Sequence, residues 1–415
     1  MRPESMMMSH GYNPFWSEGS IKPPLFQTST FEFASAQAGK AFFAKAYGIE
    51  ENSDPMGLIY SRLNNPNLEI FETRLRLWDG TESCAAFESG MAAISTTLMT
   101  FAKPGSAVLC SMPVYGGTNH FLQHILAGYG VDVFHFYPNQ TKKEIEELIV
   151  RHGIANRLSI IYTESPANPT IQLVDIEMCS EIAKQCSFNE EQTLLAVDNT
   201  FMGPVWQHPN EHGADLILYS ATKYIGGHSD LIAGAVLGSQ EHMNQVKAMR
   251  TFLGNMASPH TSWLLCRSLE TLQIRMEKQA ENAKQVAQFL REHSLVNQVF
   301  YLDEFIDARQ EDIFNRHCSS TGAMISFTIK GGEKEAFQFL DSLTLIKLAV
   351  SLGGTESLAE HPCSMTHTDM PYELKQLAGV TEDLLRISVG IEHPQDLIDD
   401  LAHAFDMVQQ NLHTA

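Results

Sequence analysis

A lysine in the stretch SATKYIGGH, residues 220–228, has neighbours that suit covalent chemistry. The stretch follows the apolar run 215–218, so Lys223 is predicted just past the carboxyl end of a strand, where open α/β sheets bind ligands. Ser220 and Thr222 offer two hydroxyls for a phosphate group, and the glycines that follow allow close backbone approach. A lysine that forms a Schiff base needs partial desolvation and a phosphate clamp nearby. Taken alone, the stretch is more typical of a surface lysine in a glycine-rich loop.

Three features elsewhere in the chain favour the chemical interpretation. Asp198 ends an apolar run, where a carboxylate could keep the pyridine nitrogen of pyridoxal phosphate (PLP) protonated, so that the ring withdraws electrons. Ser89 and Gly90 begin a predicted helix, whose free N–H groups and positive end bind phosphate. Tyr115 follows a predicted strand and could stack on a flat ring. Each is otherwise a common cap or turn residue, but together they predict a PLP enzyme in which Lys223 holds the cofactor.

The elements around these residues alternate between strand and helix patterns. Short apolar runs, which predict strands, lie at 107–112, 131–136, 158–162, 194–197, 216–219 and 232–237. Helical spacing occurs before and between them, at 68–78, 91–101, 142–152 and 176–186. Near-continuous apolar strands that alternate with helices predict an α/β domain with a mainly parallel sheet.

The two ends of the chain differ from this alternation. Residues 1–65 combine glycine, proline and aromatic residues without clear periodicity, which predicts an extended arm. Residues 66–262 form the predicted large, PLP-binding domain. The predicted C-terminal domain, residues 263–415, includes a long helical pattern at 263–291, a strand at 323–329 and a helix at 395–407.

The composition disfavours several classes of partner. With 49 Asp and Glu against 28 Lys and Arg, the formal net charge is −21, which disfavours nucleic acid or an anionic membrane surface as partner. No apolar run approaches the roughly 18 residues that span a bilayer, and the N-terminus lacks the apolar core of a signal peptide. Seven scattered cysteines predict reduced thiols in a cytoplasmic protein. No metal is expected, because His361, Cys363 and His367 lack the spacing of known metal sites.

From about residue 20 onward, a series of short motifs occurs in order. They are YSR at 60–62, SGMAA at 89–93, YGGT at 115–118, ESPANPT at 164–170, DNTF at 198–201, the stretch 220–230, SLGG at 351–354 and RISVG at 386–390. With these motifs the sequence resembles the Cys/Met metabolism family of PLP enzymes, which holds the cystathionine synthases and lyases, methionine γ-lyase and the homoserine-ester sulfhydrylases. The resemblance implies a fold-type-I, PLP-dependent transferase-like α/β fold, with a mainly parallel seven-stranded sheet and a smaller C-terminal α/β domain.

The resemblance also implies which residues bind the cofactor. Lys223 forms the internal aldimine and later moves protons on the substrate, and Asp198 pairs with the pyridine nitrogen. Tyr115 stacks on the ring and is the candidate acid for the leaving thiolate. The cofactor-binding set also includes Ser89, Gly90, Met91, Thr200, Ser220 and Thr222. Within this set, the backbone of residues 90 and 91 and the side chains of residues 220 and 222 hold the phosphate.

Further roles follow for the substrate and for a second subunit. Arg386 grips the substrate carboxylate, for which a bidentate guanidinium is suited, and Asn168 and Ser351 lie near that carboxylate and the cofactor. Tyr60 and Arg62 hold the phosphate of a neighbouring subunit. The resemblance therefore implies a homo-oligomer that shares its active sites, at least a dimer and usually a tetramer, or dimer of dimers.

The choice of substrate depends on fewer residues. In the resembled family, cystathionine γ-lyases and γ-synthases usually place Glu directly before the SLGG motif, and one type of cystathionine β-lyase places an aromatic residue there. Val350 holds this position and favours a methyl thioether, unless it is only a packing residue. Gly117 favours cystathionine instead, because methionine γ-lyases of a well-known bacterial type carry Cys there. The polar segment 47–56 resembles an insertion that either lies near a neighbour's site or is a solvated loop.

The predicted reaction is γ-elimination by a carbon–sulfur lyase. Its substrates would be methionine, homocysteine or cystathionine, and its products 2-oxobutanoate, ammonia and a thiol. γ-Replacement, as in cystathionine γ-synthase or a homoserine-ester sulfhydrylase, shares every step up to the branch and stays open, as does cystathionine β-lyase. A non-enzymatic PLP-binding protein is a third hypothesis, which the full set of expected catalytic side chains disfavours.

Overall fold

A computed structural model of the protein describes residues 1–46, 49, 57–305 and 307–412. Its α-helices are α1 Pro3–Met6, α2 Ala36–Ala46, α3 Pro66–Asp79, α4 Gly90–Phe101, α5 Gly116–His120, α6 Lys142–His152, α7 Ile176–Ala183, α8 Gly203–Trp206, α9 Gln240–Leu253, α10 Pro259–Leu269, α11 Leu272–Glu292, α12 Ala308–His317, α13 Glu333–Ser342, α14 Tyr372–Leu377 and α15 Pro394–Leu412. Its strands are β1 Ser83–Phe87, β2 Ala107–Ser111, β3 Asp132–Phe136, β4 Leu158–Glu164, β5 Ser187–Phe188, β6 Glu191–Gln192, β7 Leu194–Asp198, β8 Leu216–Tyr219, β9 Gly234–Gly238, β10 Val296–Phe300, β11 Met324–Ile329, β12 Lys347–Leu348, β13 Leu358–Glu360 and β14 Leu384–Ser388.

Seven strands form the large sheet, in the order β1-β9-β8-β7-β4-β2-β3. The strands from β8 to β3 pair in parallel, whereas β9 pairs antiparallel with β8 and with β1. All six predicted apolar runs lie in this sheet, so the predicted mainly parallel seven-stranded sheet is confirmed. Strand β1 is an addition, because its sequence SCAAF carries no β-branched residue and therefore gives little strand signal.

Capping residues fix the helices that border the future site. Asn65 begins α3 by accepting a backbone N–H, and Gly80 ends it in the left-handed conformation. Ser89 begins α4, where its Oγ accepts the N–H of Ala92 at 3.0 Å. Because α4 directly follows β1, this cap sets the N-terminus of the helix at the carboxyl edge of the sheet.

The second sheet has five strands, in the order β10-β11-β14-β13-β12, and confirms the predicted smaller C-terminal α/β unit. The prediction of one long helix over 263–291 is wrong, because the segment forms α10 and α11 with a break at Glu270 and Thr271. The N–H groups of these two residues bond to the carbonyls of Arg267 and Ser268, three residues back, which tightens and ends α10. Neither glycine nor proline marks the break, so the helical pattern runs through it.

The prediction of an extended arm over 1–65 is partly wrong, because α1 and α2 are helical. Met7 and Tyr12 of this segment are buried in the core beside α3. Of the segment 47–56, only residue 49 is described, so the predicted insertion lies outside the described residues. The boundary at 262 falls inside α10, and the division into domains stays a prediction.

Two whole-chain features bear on the environment of the protein. Among the residues that the structure describes, no helix is both long and apolar enough to cross a membrane. All seven cysteines are free thiols, and five of them are buried.

Candidate active site

One cavity of about 290 Å³ opens where the carboxyl ends of β4, β7 and β8 face residues 350–352 and 386 of the C-terminal part. Thirteen predicted site residues line it: Ser89, Gly90, Met91, Tyr115, Asn168, Asp198, Thr200, Ser220, Thr222, Lys223, Val350, Ser351 and Arg386. The fold therefore brings together every predicted site residue except Tyr60 and Arg62. The chemical roles of these residues stay predictions.

Lys223 lies in the turn after β8, with its amine directed toward the C-terminal part. Its Nζ donates a hydrogen bond to the Oγ of Ser351 at 2.8 Å. Burial and the positive charge of Arg386 lower the pKa of Lys223 to about 8, although the carboxylate of Glu360 opposes this shift. A lysine with this pKa is partly uncharged near neutral pH and can act as a nucleophile and a base.

Two backbone positions near the lysine are unusual. Gly227 has a φ of +66°, and a Cβ there would overlap the guanidinium of Arg275, which donates to the carbonyl of Tyr224. Ser351 is not glycine, yet its φ is +99°. Such a conformation costs about 1–3 kcal/mol and is concentrated at functional sites. The backbone at both positions is therefore shaped around the lysine loop.

Asp198 ends β7 with a buried carboxylate held by neutral donors. Thr200 donates its N–H (3.0 Å) and its hydroxyl (2.6 Å) to Oδ1, and the hydroxyl of Tyr162 donates to Oδ2 at 3.2 Å. Burial raises the pKa of Asp198 despite these donors. A cationic N–H next to this carboxylate would restore its ionised form, so the position suits a protonated heterocycle.

The start of α4 forms a cradle beside the lysine loop. Because the Ser89 side chain caps the N–H of residue 92, the N–H groups of Gly90 and Met91 have no intrahelical acceptor. A Cβ on Gly90 would lie 2.8 Å from the Cβ and Oγ of Ser220, so only glycine fits there. The helix end and the serine hydroxyl together suit a phosphate.

The two threonines of the site bind backbone groups. The Oγ1 of Thr222 donates to the carbonyl of Ala233 at 3.1 Å and accepts its N–H at 3.0 Å. The Oγ1 of Thr200 accepts the N–H of Ser220 at 2.9 Å. These hydroxyls therefore fix the lysine loop on Asp198 and on the approach to β9, in addition to any contact with a ligand.

These groups fit PLP. The cavity offers an amine for its aldehyde, a carboxylate for its ring nitrogen and a helix N-terminus for its phosphate, which are the contacts that such enzymes supply. Gly90 adds a shape argument, because a Cβ there would push against the Ser220 side chain, whose hydroxyl belongs to the same cradle. Lys223, Asp198 and the start of α4 would hold the cofactor.

Arg386 projects from β14 and is buried. Its Nη1 lies 2.9 Å from both the Oδ1 of Asn168 and the Oε1 of Glu360, and its Nη2 donates to the carbonyl of Ser351 at 3.0 Å. Among the described residues its Nε has no hydrogen-bond partner. The guanidinium is thus rigidly held and retains a donor for a carboxylate ligand.

Two buried glutamates carry no role in the sequence interpretation. Glu164 ends β4, and its carboxylate accepts the N–H of Tyr115 at 2.8 Å and that of Asn168 at 3.0 Å. Burial and the neighbouring Asp198 raise its pKa to about 8. Glu360 lies opposite Arg386 across β13 and β14. The position of Glu164 at the head of the ESPANPT motif is a usable signal, but the pairing of Glu360 needs the strand register.

The outer wall of the cavity is largely apolar. Tyr115 is 42% exposed at the rim, and Val350 and Ile232 are 53% and 66% exposed. A Cβ on Gly117 would lie 2.6 Å from the Tyr115 ring and 3.2 Å from the sulfur of Met91. Glycine at 117 therefore permits this ring position, which a cysteine would force to change.

Tyr60 and Arg62 line a different, open pocket of about 550 Å³. The Nη1 of Arg62 donates to the carbonyl of Thr251 at 2.9 Å, and its guanidinium lies 5.8 Å from the centre of the Tyr60 ring. Ile232 borders both pockets. Within the chain these two residues do not reach the lysine cavity, and their service to a neighbouring subunit stays a prediction.

A cluster with possible metal ligands lies elsewhere, between α7 and α12. Glu177, His212 and His317 place ligand atoms within 4.8 Å of one another. Arg316 enters the same cluster, where its Nη1 lies 2.5 Å from Glu177 and 3.1 Å from the Nε2 of His317. A guanidinium thus already supplies positive charge to these groups.

Comparisons with known proteins agree with this arrangement. The family model described as Cys/Met metabolism PLP-dependent enzyme matches residues 4–406. L-methionine γ-lyase of Fusobacterium nucleatum is 38% identical over 392 residues, which cover 94% of this chain and 94% of that protein. Cystathionine γ-lyase of Sus scrofa is 36% identical over 390 residues, which cover 94% of this chain and 89% of that protein.

Solved structures agree as well. Cystathionine γ-synthase from Xanthomonas oryzae pv. oryzae has a TM-score of 0.87 and 30% sequence identity, and the match covers 99% of both chains. The cavity, the family match over nearly the whole length and these relatives lead to one conclusion. The chain belongs to the Cys/Met metabolism family of PLP-dependent enzymes.

Proposed function

We propose that this PLP-dependent enzyme is a carbon–sulfur lyase that eliminates the γ-sulfur group of a sulfur amino acid. Methionine and water would give 2-oxobutanoate, ammonia and methanethiol, and homocysteine or cystathionine would react in the same way. The observation that carries the proposal is the cavity wall shared by Lys223, Ser351 and Arg386. In this wall the base, Lys223, and the residue that would bind the substrate carboxylate, Arg386, can both contact one bound amino acid.

The cofactor, when bound, supplies an electron sink that makes the α-proton of an amino acid acidic. Arg386 binds the α-carboxylate and so orients the Cα–H bond toward the lysine side of the cavity. Lys223 removes and returns protons, because its pKa of about 8 leaves it partly uncharged near neutral pH. Ser351 accepts hydrogen bonds from both residues, through its Oγ from Lys223 and through its carbonyl from Arg386. It therefore keeps the amine of Lys223 close to the anchor for the substrate carboxylate.

Tyr115 is the proposed acid for the leaving sulfur. The side chain of Tyr115 is partly exposed at the rim of the cavity, and its backbone N–H donates a hydrogen bond to the Glu164 carboxylate. A phenol there can donate a proton to a thiolate as the carbon–sulfur bond breaks. Gly117 permits this position of the Tyr115 ring, because a Cβ at residue 117 would occupy the same space.

The apolar rim supports a thioether or thiol substrate. Val350 and Ile232 offer no partner to the distal ammonium of cystathionine, whereas a methyl thioether loses little by contacting them. The names of the curated relatives, L-methionine γ-lyase and cystathionine γ-lyase, fit this substrate class. We therefore place methionine and homocysteine first and cystathionine second.

A γ-replacement reaction is the second candidate. The match to a solved cystathionine γ-synthase, with a TM-score of 0.87, supports it. The two reactions differ in whether water or a thiol nucleophile completes the turnover. Cystathionine β-lyase activity is a third possibility, since it uses the same base and anchor.

The deciding experiment supplies the purified holoenzyme separately with L-methionine, L-homocysteine, L-cystathionine, and O-succinylhomoserine plus cysteine. We expect 2-oxobutanoate and ammonia in equal amounts from at least one of the first three, with one equivalent of methanethiol from methionine, of hydrogen sulfide from homocysteine or of cysteine from cystathionine. Pyruvate from cystathionine would indicate a β-lyase, and cystathionine formed from the ester would indicate γ-replacement. No 2-oxobutanoate from any sulfur amino acid would contradict the proposal.

We also infer that the protein is a homo-oligomer, at least a dimer and, as is usual in the family, a dimer of dimers. Tyr60 and Arg62 lie on an open pocket next to the lysine cavity, where they are available to a second copy.

The domains are proposed as 1–65, 66–262 and 263–415, with the site between the last two. The seven free thiols support a cytoplasmic location.

A further inference from the structure

The carboxylate of Glu164 connects two parts of the site that are far apart in sequence. Its Oε2 accepts the N–H of Tyr115, 49 residues away, at 2.8 Å, and its Oε1 accepts the N–H of Asn168 at 3.0 Å. The carbonyl of Tyr115 is engaged by the first turn of α5. The Glu164 contact therefore fixes the other side of this residue.

Asn168 extends the connection to the substrate anchor. Its Oδ1 accepts a hydrogen bond from Arg386 at 2.9 Å, and Arg386 in turn donates to the carbonyl of Ser351. One carboxylate thus lies between the proposed acid and the proposed carboxylate anchor. A shift of its oxygens would move both, because each is joined to Glu164 by one or two hydrogen bonds.

The Glu164 carboxylate lies next to a second buried carboxylate. Glu164 ends β4 beside Asp198, its register partner at the end of β7. An ionised carboxylate can accept two N–H groups, one on each oxygen, whereas the neutral acid has a hydrogen on one of them. Burial and Asp198 raise the pKa of Glu164 to about 8, whereas the N–H groups of Tyr115 and Asn168 act in the opposite direction and so favour the ionised carboxylate.

We propose that Glu164 is a positioning residue of the reaction, which sets Tyr115 and, through Asn168, Arg386 in their working places at the same time. This inference rests on the proposed roles of Tyr115 and Arg386. Glu164 need not touch the substrate, and among the described residues its carboxylate makes no hydrogen bond to Lys223 or to Asp198. Its loss should therefore impair substrate binding and turnover while the cofactor remains bound.

The test compares Glu164→Gln with the wild-type holoenzyme. Gln is isosteric but turns an N–H₂ group toward one of the two backbone donors. We expect kcat/KM for the preferred sulfur amino acid to fall about tenfold or more, as when a buried backbone N–H is left without an acceptor. Glycine can bind but has no side chain to eliminate. Its dissociation constant, measured from the change in cofactor absorbance, should rise severalfold.

Asp400→Asn is the matched control. The Asp400 carboxylate also accepts backbone N–H groups, those of Thr344, Leu345 and Ile346, but in the C-terminal unit away from the cavity. This variant should lower the Tm and leave kcat, KM and glycine binding unchanged. Glu164→Asp keeps the carboxylate but moves its oxygens away from the two backbone N–H groups. It should lose turnover as Glu164→Gln does, and it replaces Glu164→Gln in the test if that variant does not fold.

Wild-type values of kcat, KM and glycine affinity in both Glu164 variants would overturn the proposal. So would a loss of activity that only parallels a loss of Tm and of bound cofactor. An inactive wild-type enzyme on every sulfur amino acid would instead contradict the proposed function, and the two failures are therefore distinguishable. The glycine titration also reports on the anchor without any turnover.

Discussion

The amine of Lys223 and the hydroxyl of Ser351 lie 2.8 Å apart, although 128 residues separate them in the chain. The lysine follows a strand of the large sheet, whereas the serine lies between β12 and β13 of the second sheet. The position of the reactive amine thus depends on both parts of the protein.

Replacement of Lys223 by Ala should remove the visible absorbance of the lysine-bound cofactor. Activity should fall by at least about 10²–10⁴-fold, the range for loss of a general base. The exposed Lys143, on α6, provides the control Lys143→Ala, which should behave as wild type. If the lysine-bound absorbance survived in Lys223→Ala, the central assignment would be wrong.

The lowered pKa of Lys223 predicts how the apoprotein takes up PLP with pH. Only the uncharged amine attacks the aldehyde, so the rate of cofactor incorporation should rise with pH and level off above about 8. Glu360→Gln should move this midpoint to lower pH, because the Glu360 carboxylate favours the charged amine. Stopped-flow absorbance at a series of pH values measures both. A midpoint near the ordinary lysine value of about 10.4 would contradict the proposed burial effect.

Val350→Glu tests the apolar rim. A carboxylate there can meet the distal ammonium of cystathionine and is unfavourable beside a methyl thioether. We expect the ratio of kcat/KM for cystathionine to that for methionine to rise about tenfold, the scale of a modest change in a specificity pocket. Val150→Glu, at an exposed position of α6, adds the same charge elsewhere and should leave the ratio unchanged. An unchanged ratio in Val350→Glu would make Val350 only a packing residue.

Mixing two inactive variants tests the shared site. Arg62→Ala and Lys223→Ala should each be nearly inactive alone. If Arg62 serves a neighbouring subunit, a randomly mixed dimer regains one intact site in half of the molecules, which gives about one quarter of wild-type activity. Activity is assayed after subunit exchange, with size-exclusion chromatography and light scattering as the check on assembly. No recovery after verified exchange would contradict the proposed role of Arg62 in a neighbouring subunit.

Much of the site could be predicted because its main groups lie in local motifs at the ends of strands. Lys223, Asp198 and Ser89 each follow or precede an element whose apolar pattern is clear, so their meeting at one sheet edge follows from the parallel topology. Glu360 could not be assigned in this way. Its role depends on the β13–β14 register, which the sequence pattern does not specify.

The errors in the fold have similar physical causes. The break between α10 and α11 comes from a tight turn at residues 270 and 271, whose side chains are all compatible with a helix. Helix α2 lies in a segment rich in alanine and phenylalanine, between stretches of proline and glycine that dominate the composition of the arm. At the α10–α11 break, the backbone hydrogen bonds of the turn, rather than a glycine or proline, decide where the helix ends.

Ser351 holds its left-handed backbone without the freedom of glycine, and this has a consequence for how the protein can change. Glycine would relieve about 1–3 kcal/mol of conformational strain at that position, but it would remove the hydroxyl that receives the Lys223 amine. Greater thermal stability and a well-placed reactive amine are therefore opposed at this single residue. Selection for a more heat-resistant enzyme would have to find its gains at other positions.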